Sequence, residues 1–236
     1  MSLKESIGWC SMTCNPIKGL CQGGCWYCYY SGKRGIAHRF KQEPELRLDL
    51  SVFDKLPKVP KKVFLCSTND YWGNWVPDEW REAIREKTQQ YPQHTFQVLT
   101  KQYQNLPKYS PYPDNWWVGV TVTGKGRDEL LDVAHVRTRL LFISFEPLLA
   151  SVSNYLHLIR NLGIGWVIIG RLTGYGHRYD PKIEWVEEIV RACDKAGVKV
   201  FLKDNLMPLF DYPNPLFFRK TSPAGRLELR QELPSG

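Results

Sequence analysis

The chain has 236 residues, 32 of them Lys or Arg and 24 Asp or Glu, for a formal net charge of +8. Hydrophobic residues make up 43% and charged residues 24%, which excludes wholesale disorder, and no run approaches the roughly 18 apolar residues that cross a bilayer. Met1 to Ser6 carries no basic stretch followed by an apolar core, so no secretory signal is expected and a cytoplasmic protein with no membrane partner is.

The first chemical signal in chain order is a cluster of thiols. Five of the seven cysteines, Cys10, Cys14, Cys21, Cys25 and Cys28, precede residue 30, while Cys66 and Cys193 stand apart. Thiols stay reduced in the cytosol, so such clustering points to a metal or iron–sulfur loop before a disulfide framework. Cys21, Cys25 and Cys28 are spaced C-x3-C-x2-C, with Gly23 and Gly24 to let the loop turn closely. Three soft donors can hold three irons of a cubane and leave the fourth open. A zinc knuckle completed by Cys10 or Cys14 is the other reading of the same residues.

Beyond residue 60, six short runs rich in β-branched and aromatic residues read as strands: 63–66, 96–99, 116–120, 140–145, 166–170 and 198–202. Their spacing leaves room for βαβ crossovers and not for tight hairpins. Helices are expected over 79–91, with Asp78 as N-cap and Trp80, Ala83, Ile84 and Lys87 on one face, and over 152–162 and 182–196, stopped by Gly163 and Gly197. A shorter one is expected over 127–133. Prolines 107, 111 and 113 break the stretch after Leu99. The pattern predicts an α/β fold with largely parallel strands over residues 1–206, a partial or complete α/β barrel. Residues 207–236 read as an irregular wrapping segment with a strand at 226–230.

Each run ends in polar residues: Ser67, Thr68, Asn69 and Asp70; Thr100 and Lys101; Thr121; Glu146; Arg171; Lys203 and Asp204. Ligands of parallel α/β folds bind at the carboxyl ends of the strands, so these side chains are expected to converge there. Asn69 and Asp70 also suit an Asx turn, and Glu146 with Arg171 a structural ion pair.

The run Cys21 to Cys28, with Tyr27 before its last cysteine and Tyr29 after it, resembles the cluster loop of the radical S-adenosylmethionine superfamily. The wider chain resembles a phage-associated branch of it through Thr13-Cys14-Asn15-Pro16, Cys66 to Asp70 with Trp75-Val76-Pro77, Leu99-Thr100-Lys101, Val118 to Thr121, Phe145 to Leu149 and Val167 to Gly170. Asn15 through Tyr29 is similar to the cluster region of spore photoproduct lyase-like proteins.

The resemblance implies a partial (βα) TIM-like barrel, a [4Fe–4S] cluster on Cys21, Cys25 and Cys28 at its open top, S-adenosyl-L-methionine on the open iron, and a 5′-deoxyadenosyl radical. It implies cofactor contacts from Tyr27, Ser67, Thr68, Asn69, Thr100 and Lys101, catalytic roles for Glu146 and Arg171, and a one-electron reductant such as flavodoxin or ferredoxin as partner. The positive charge favours a nucleic acid or nucleotide substrate. Lys33, Arg34, His38, Arg39 and Lys41 are the expected phosphate contacts, and Tyr71, Trp72 and Trp75 the expected base-stacking aromatics. Modification of a peptide or small metabolite is the second reading. A zinc or iron–sulfur module that binds nucleic acid without catalysis is the third.

Overall fold

The computed structural model describes residues 7–32, 35–37, 45–125, 130–220 and 227–235. Eleven strands and three α-helices form among them: β1 (Met12–Cys14), β2 (Ile17–Lys18), β3 (Arg47–Leu48), β4 (Lys62–Leu65), α1 (Asp78–Gln89), β5 (Thr95–Thr100), β6 (Trp116–Thr121), β7 (Leu140–Phe145), α2 (Leu156–Asn161), β8 (Trp166–Ile169), α3 (Ile183–Ala196), β9 (Lys199–Leu202), β10 (Phe218–Lys220) and β11 (Leu227–Leu229). Seven of the strands form one sheet in the order β1-β4-β5-β6-β7-β8-β9. This is the expected α/β, partial (βα)-barrel class with parallel strands.

The chain divides into two compact units, Met1–Val120 with His135–Arg139, and Thr121–Ala134 with Leu140–Gly236. In the first, β1 pairs with β4, β4 with β5 and β5 with β6, all parallel. These strands are apolar on both faces because each face is covered. Val63, Phe96, Val98, Trp116 and Val118 are wholly buried, and burying each such side chain contributes roughly 1.5–3 kcal/mol. β1 lies outside the six expected strands. Its three residues are too few to show a period, and only pairing with Val63, Phe64 and Leu65 makes Met12-Thr13-Cys14 a strand.

The expected helix after β4 forms as α1, with Pro77 and not Asp78 at its N-cap. Asp78 instead sits in the first turn, where its carboxylate meets the positive end of the helix dipole and the guanidinium of Arg81. The buried face is Arg81, Ile84 and Thr88, rotated from the expected one because Arg81 is spent on the carbonyls of Tyr71 and Gly73. Between β5 and β6 the prolines leave only short 3-10 turns, Tyr103–Asn105 and Pro107–Tyr109.

In the second unit β7, β8 and β9 pair in parallel. α3 buries Val186, Ile189, Val190 and Cys193 and stops at Gly197, whose φ of 70° lets the last turn close in the left-handed region. The segment expected as one helix over 152–162 splits into a 3-10 turn, Ser153–Tyr155, and the short α2. Of the helix expected over 127–133, residues 127–129 lie outside the described residues, and Leu130–His135 is a 3-10 turn. β10 and β11 form an antiparallel ribbon. No helix among the described residues is long and apolar enough to cross a membrane.

Candidate functional site: the strand ends

The first unit gathers its expected residues around one buried carboxylate. β4 is followed by Cys66, whose φ of 57° makes it the non-glycine residue with positive φ among those described, and the chain turns there into Ser67 to Asp70. Asp70 is buried and accepts from Thr100 Oγ1 at 2.7 Å, from the Lys101 N–H at 2.9 Å and from the Trp72 N–H at 3.1 Å. The last of these is the expected Asx turn. The other two tie the end of β4 to the end of β5. Burial raises the Asp70 carboxyl above its ordinary value, against the lowering effect of those hydrogen bonds.

Asn69 is 6% exposed, and its Oδ1 accepts from Trp75 Nε1 and from the Asp70 N–H, both at 3.0 Å. Two donors on one atom fix which end of the carboxamide is oxygen. Its Nδ2 therefore remains a buried donor with no partner among the described residues. Ser67 and Thr68 turn elsewhere: Ser67 Oγ and the Thr68 N–H both donate to Asn15 Oδ1, at 3.1 and 3.2 Å, fastening the end of β4 to the residue after β1. Asn15 has no place among the expected site residues. Its only signal in sequence is a turn-forming Asn-Pro pair.

The thiol loop joins this rim through its aromatic residues. Tyr29 donates its hydroxyl to the Ser67 carbonyl at 2.8 Å, and the Lys101 ammonium lies 5.9 Å from the centre of the Tyr27 ring. Trp26 and Tyr29 are about half exposed, at 45% and 50%.

The thiols themselves do not form the expected centre. Among the described residues no group of three or more His, Cys, Asp or Glu side chains is placed to hold a metal ion. Each thiol of the loop engages its own neighbourhood instead. The Cys21 sulfur accepts the N–H of Gly23 at 3.4 Å and that of Asp70, and burial pushes its pKa up to about 11. The Cys28 sulfur accepts the Ser31 N–H at 3.4 Å, and the Cys25 thiol faces the Gly23 carbonyl at 3.9 Å. Cys14, which could complete a zinc knuckle, is buried with its pKa pushed up to about 12.

The cluster ligation by Cys21, Cys25 and Cys28, the [4Fe–4S] and S-adenosyl-L-methionine cofactors, the radical enzyme built on them and the metal-based alternative are corrected on this geometry. The expected flavodoxin- or ferredoxin-like reductant loses its reason with them. The nucleic-acid reading loses two of its three stacking aromatics as well, and the third, Trp75, is half-buried with its indole N–H on Asn69. Tyr71 and Trp72 are buried at 2% and 0% exposure, with Tyr71 donating to the Arg81 carbonyl and Trp72 to the Tyr112 hydroxyl. The expected phosphate contacts Lys33, Arg34, His38, Arg39 and Lys41 lie outside the described residues.

The second unit pairs its strand-end charges differently from the expectation. Glu146 and Arg171 do not form an ion pair with each other. Lys203, after β9, reaches Glu146, after β7, across Gly170 at the end of β8. A Cβ on Gly170 would stand 2.9 Å from Lys203 Cδ and 3.2 Å from Glu146 Cδ. Arg171 Nη1 instead holds both oxygens of Asp180, at 2.9 and 3.0 Å, and its backbone carbonyl accepts from Asn205. His177 Nδ1 lies 2.9 Å from the same carboxylate. Neither Asp180 nor Asn205 ends a strand, which is why the pattern of strand-end polar residues passes over them.

No curated protein and no solved structure matches the chain. The family described as "Protein of unknown function (DUF5131)" matches it over residues 4–206, and the radical S-adenosylmethionine superfamily is not what that comparison returns. The chain thus belongs to the DUF5131 family.

Proposed function

We propose that the carboxyl ends of β4 and β5 bind a small organic anion, which presents an acceptor oxygen to Asn69 Nδ2 and its negative charge to Lys101. The observation that carries this reading is the buried Asn69 donor with no partner among the described residues. Leaving such a donor unmade costs about 1–3 kcal/mol, a cost that an acceptor bound beside it removes. The place fits, because ligands of parallel sheets sit at strand carboxyl ends.

Each expected contact has a part in this reading. Thr100 and the Lys101 amide fix the base of the site through Asp70, while Ser67 and Thr68 hold its wall through Asn15. Tyr27 steadies the Lys101 ammonium, and the exposed faces of Trp26 and Tyr29 offer apolar contact to the body of the ligand. Glu146 and Arg171, already committed to Lys203 and Asp180, serve as structural charges of the second unit.

The test is a titration of small carboxylates, from acetate to phenylacetate, with the matching amides as neutral controls, followed by tryptophan fluorescence and calorimetry. Asn69→Asp keeps the acceptor for Trp75 and loses the donor, so affinity is expected to fall by about tenfold to a hundredfold. Lys101→Met is expected to weaken carboxylates and leave the amides unaffected. Equal affinity in the wild type and in both variants, or no saturable binding of any carboxylate, would refute the assignment.

A further inference from the structure

Between the end of β4 and the start of α1 the chain makes two tight turns. The Gly73 N–H donates to the Asp70 carbonyl at 3.0 Å, and the Val76 N–H to the Gly73 carbonyl at 2.9 Å. Together they bring Trp75, half-buried, back to Asn69. Its indole is seated against two glycines. A Cβ on Gly73 would overlap the ring, so no other residue leaves it there. A Cβ on Gly23, in the thiol loop, would stand 3.4 Å from Trp75 Cη2 and 3.4 Å from Cys21 Sγ. In that seat Trp75 Nε1 donates to Asn69 Oδ1 at 3.0 Å.

The two donors on Asn69 Oδ1 are unequal. The Asp70 N–H, also at 3.0 Å, belongs to the next residue, and Cys21 Sγ is a second acceptor for it. It keeps a partner if the carboxamide turns over. The indole N–H can only donate, and its acceptor is Oδ1. Turning the carboxamide over would set Nδ2 against that N–H, donor against donor. The indole therefore penalises the turned form by about one hydrogen bond, roughly 0.5–1.5 kcal/mol net, and keeps Nδ2 as the group left unmet.

We propose that Trp75 is the positioning residue that sets which ligands the first rim selects. By locking the Asn69 carboxamide it makes the site present a donor, so that acceptor groups such as carboxylates are preferred over groups that donate. The inference rests on the anion site at Asn69 and Lys101, and Trp75 acts through Asn69 without touching the ligand.

Trp75→Phe keeps a ring on the glycine seat and removes the N–H. The full chain and this variant are titrated calorimetrically with phenylacetate and with phenylacetamide, which has nearly the same shape. Phenylacetate affinity is expected to fall about threefold to tenfold and phenylacetamide affinity to stay unchanged, because a freed carboxamide meets an amide with either end and a carboxylate with only one. The same substitution made in an Asn69→Ala chain should change neither affinity, since there is no carboxamide left to turn. An equal fall with and without Asn69 overturns the positioning role, as does wild-type preference in Trp75→Phe.

The lock is also read without ligand. Asn69→Ala removes the acceptor, so the Trp75 indole N–H resonance should move upfield and exchange faster with water. If it does so while the wild type binds no carboxylate, the site reading fails and the selection by Trp75 falls with it, leaving only the lock. If the wild type binds carboxylates and the resonance does not respond, the site stands and the positioning role is refuted.

Discussion

The strand ends of the two units meet the same physical demand in opposite ways. In the first, a buried carboxylate is surrounded by uncharged donors, Thr100 Oγ1 and the N–H groups of Trp72 and Lys101, and the neighbouring Asn69 keeps a donor in hand. In the second, opposite charges cancel within the rim: Lys203 on Glu146, and Arg171 on Asp180 with His177 beside it. These ion pairs balance the charge, although Arg171 Nε stays a buried donor with no partner among the described residues. At Asp70 the hydrogen bonds come from neutral groups, the Lys101 ammonium supplies an opposing charge, and the neighbouring Asn69 leaves a defined unmet donor. The two rims thus differ in how charge is balanced: the first by neutral hydrogen-bond donors with a lysine nearby, the second by direct ion pairs.

The contrast is broken most forcefully at Asp70. Asp70→Ala strips the acceptor from three donors in a buried place and is expected to cost about 3 kcal/mol of stability in chemical denaturation. It should also abolish carboxylate binding at the first rim. A loss below about 1 kcal/mol would mean that water readily replaces the carboxylate and that the first rim is looser than its geometry.

Gly170→Ala is the matching substitution in the second unit. Its methyl group would press on Lys203 and Glu146 and force the pair apart, for a cost of about 1–2 kcal/mol. Carboxylate binding at the first rim should survive it. A loss of that binding with Gly170→Ala would collapse the distinction between the two rims.

The pH dependence of stability sharpens the contrast further. The folded value of the Asp70 carboxyl is raised above the unfolded value of 3.8, so at neutral pH its charge weighs against folding. That penalty fades as pH falls through the raised folded value and is gone below 3.8. Asp78, at the start of α1, runs the other way: the Tyr109 hydroxyl and Lys108 hold it down to about 2, and its contribution, present above 3.8, is lost as pH falls through that lower value. Asp70→Asn should therefore remove a stabilisation on mild acidification that Asp78→Asn leaves intact, read as the shift in denaturant midpoint with pH.

The smallest effect is chemical. Native protein treated with iodoacetamide and mapped by mass spectrometry should be labelled at Cys25 and Cys28 before Cys21. Cys14 and Cys193, both buried with pKa pushed up to about 12, should stay unlabelled until the chain unfolds.

Much of the fold was legible because it rests on local pattern. The six apolar runs became β4 to β9, and Gly197 stopped α3 where a left-handed residue was needed. β1 and the 230–233 cover of β9 were not legible, since both are segments too short to carry a period and gain their form from a partner strand. At the candidate site, the sequence correctly named Ser67 to Asp70, Thr100 and Lys101 as strand-end residues. It could not show that Asn15 binds Ser67 or that Lys203 is the partner of Glu146, because those pairings span 52 and 57 residues, nor that Asp180 meets Arg171, because the nine-residue stretch that joins them is irregular chain without a period.

The thiol loop marks the limit most clearly. Spacing alone makes Cys21, Cys25 and Cys28 look like a ligand set, but spacing fixes only how far apart the sulfurs can be along the chain. Where each one points is set by the backbone: Cys21 accepts from the amides of Gly23 and Asp70, Cys28 from that of Ser31, and the Cys25 thiol faces the Gly23 carbonyl. What the sequence determined by itself was the periodicity of its strands, the residues at their ends and the positions where helices stop, because these depend on each residue and its near neighbours. Tertiary structure alone decided which polar group meets which, and which donor is left over, because burial and pairing are properties of the folded surroundings.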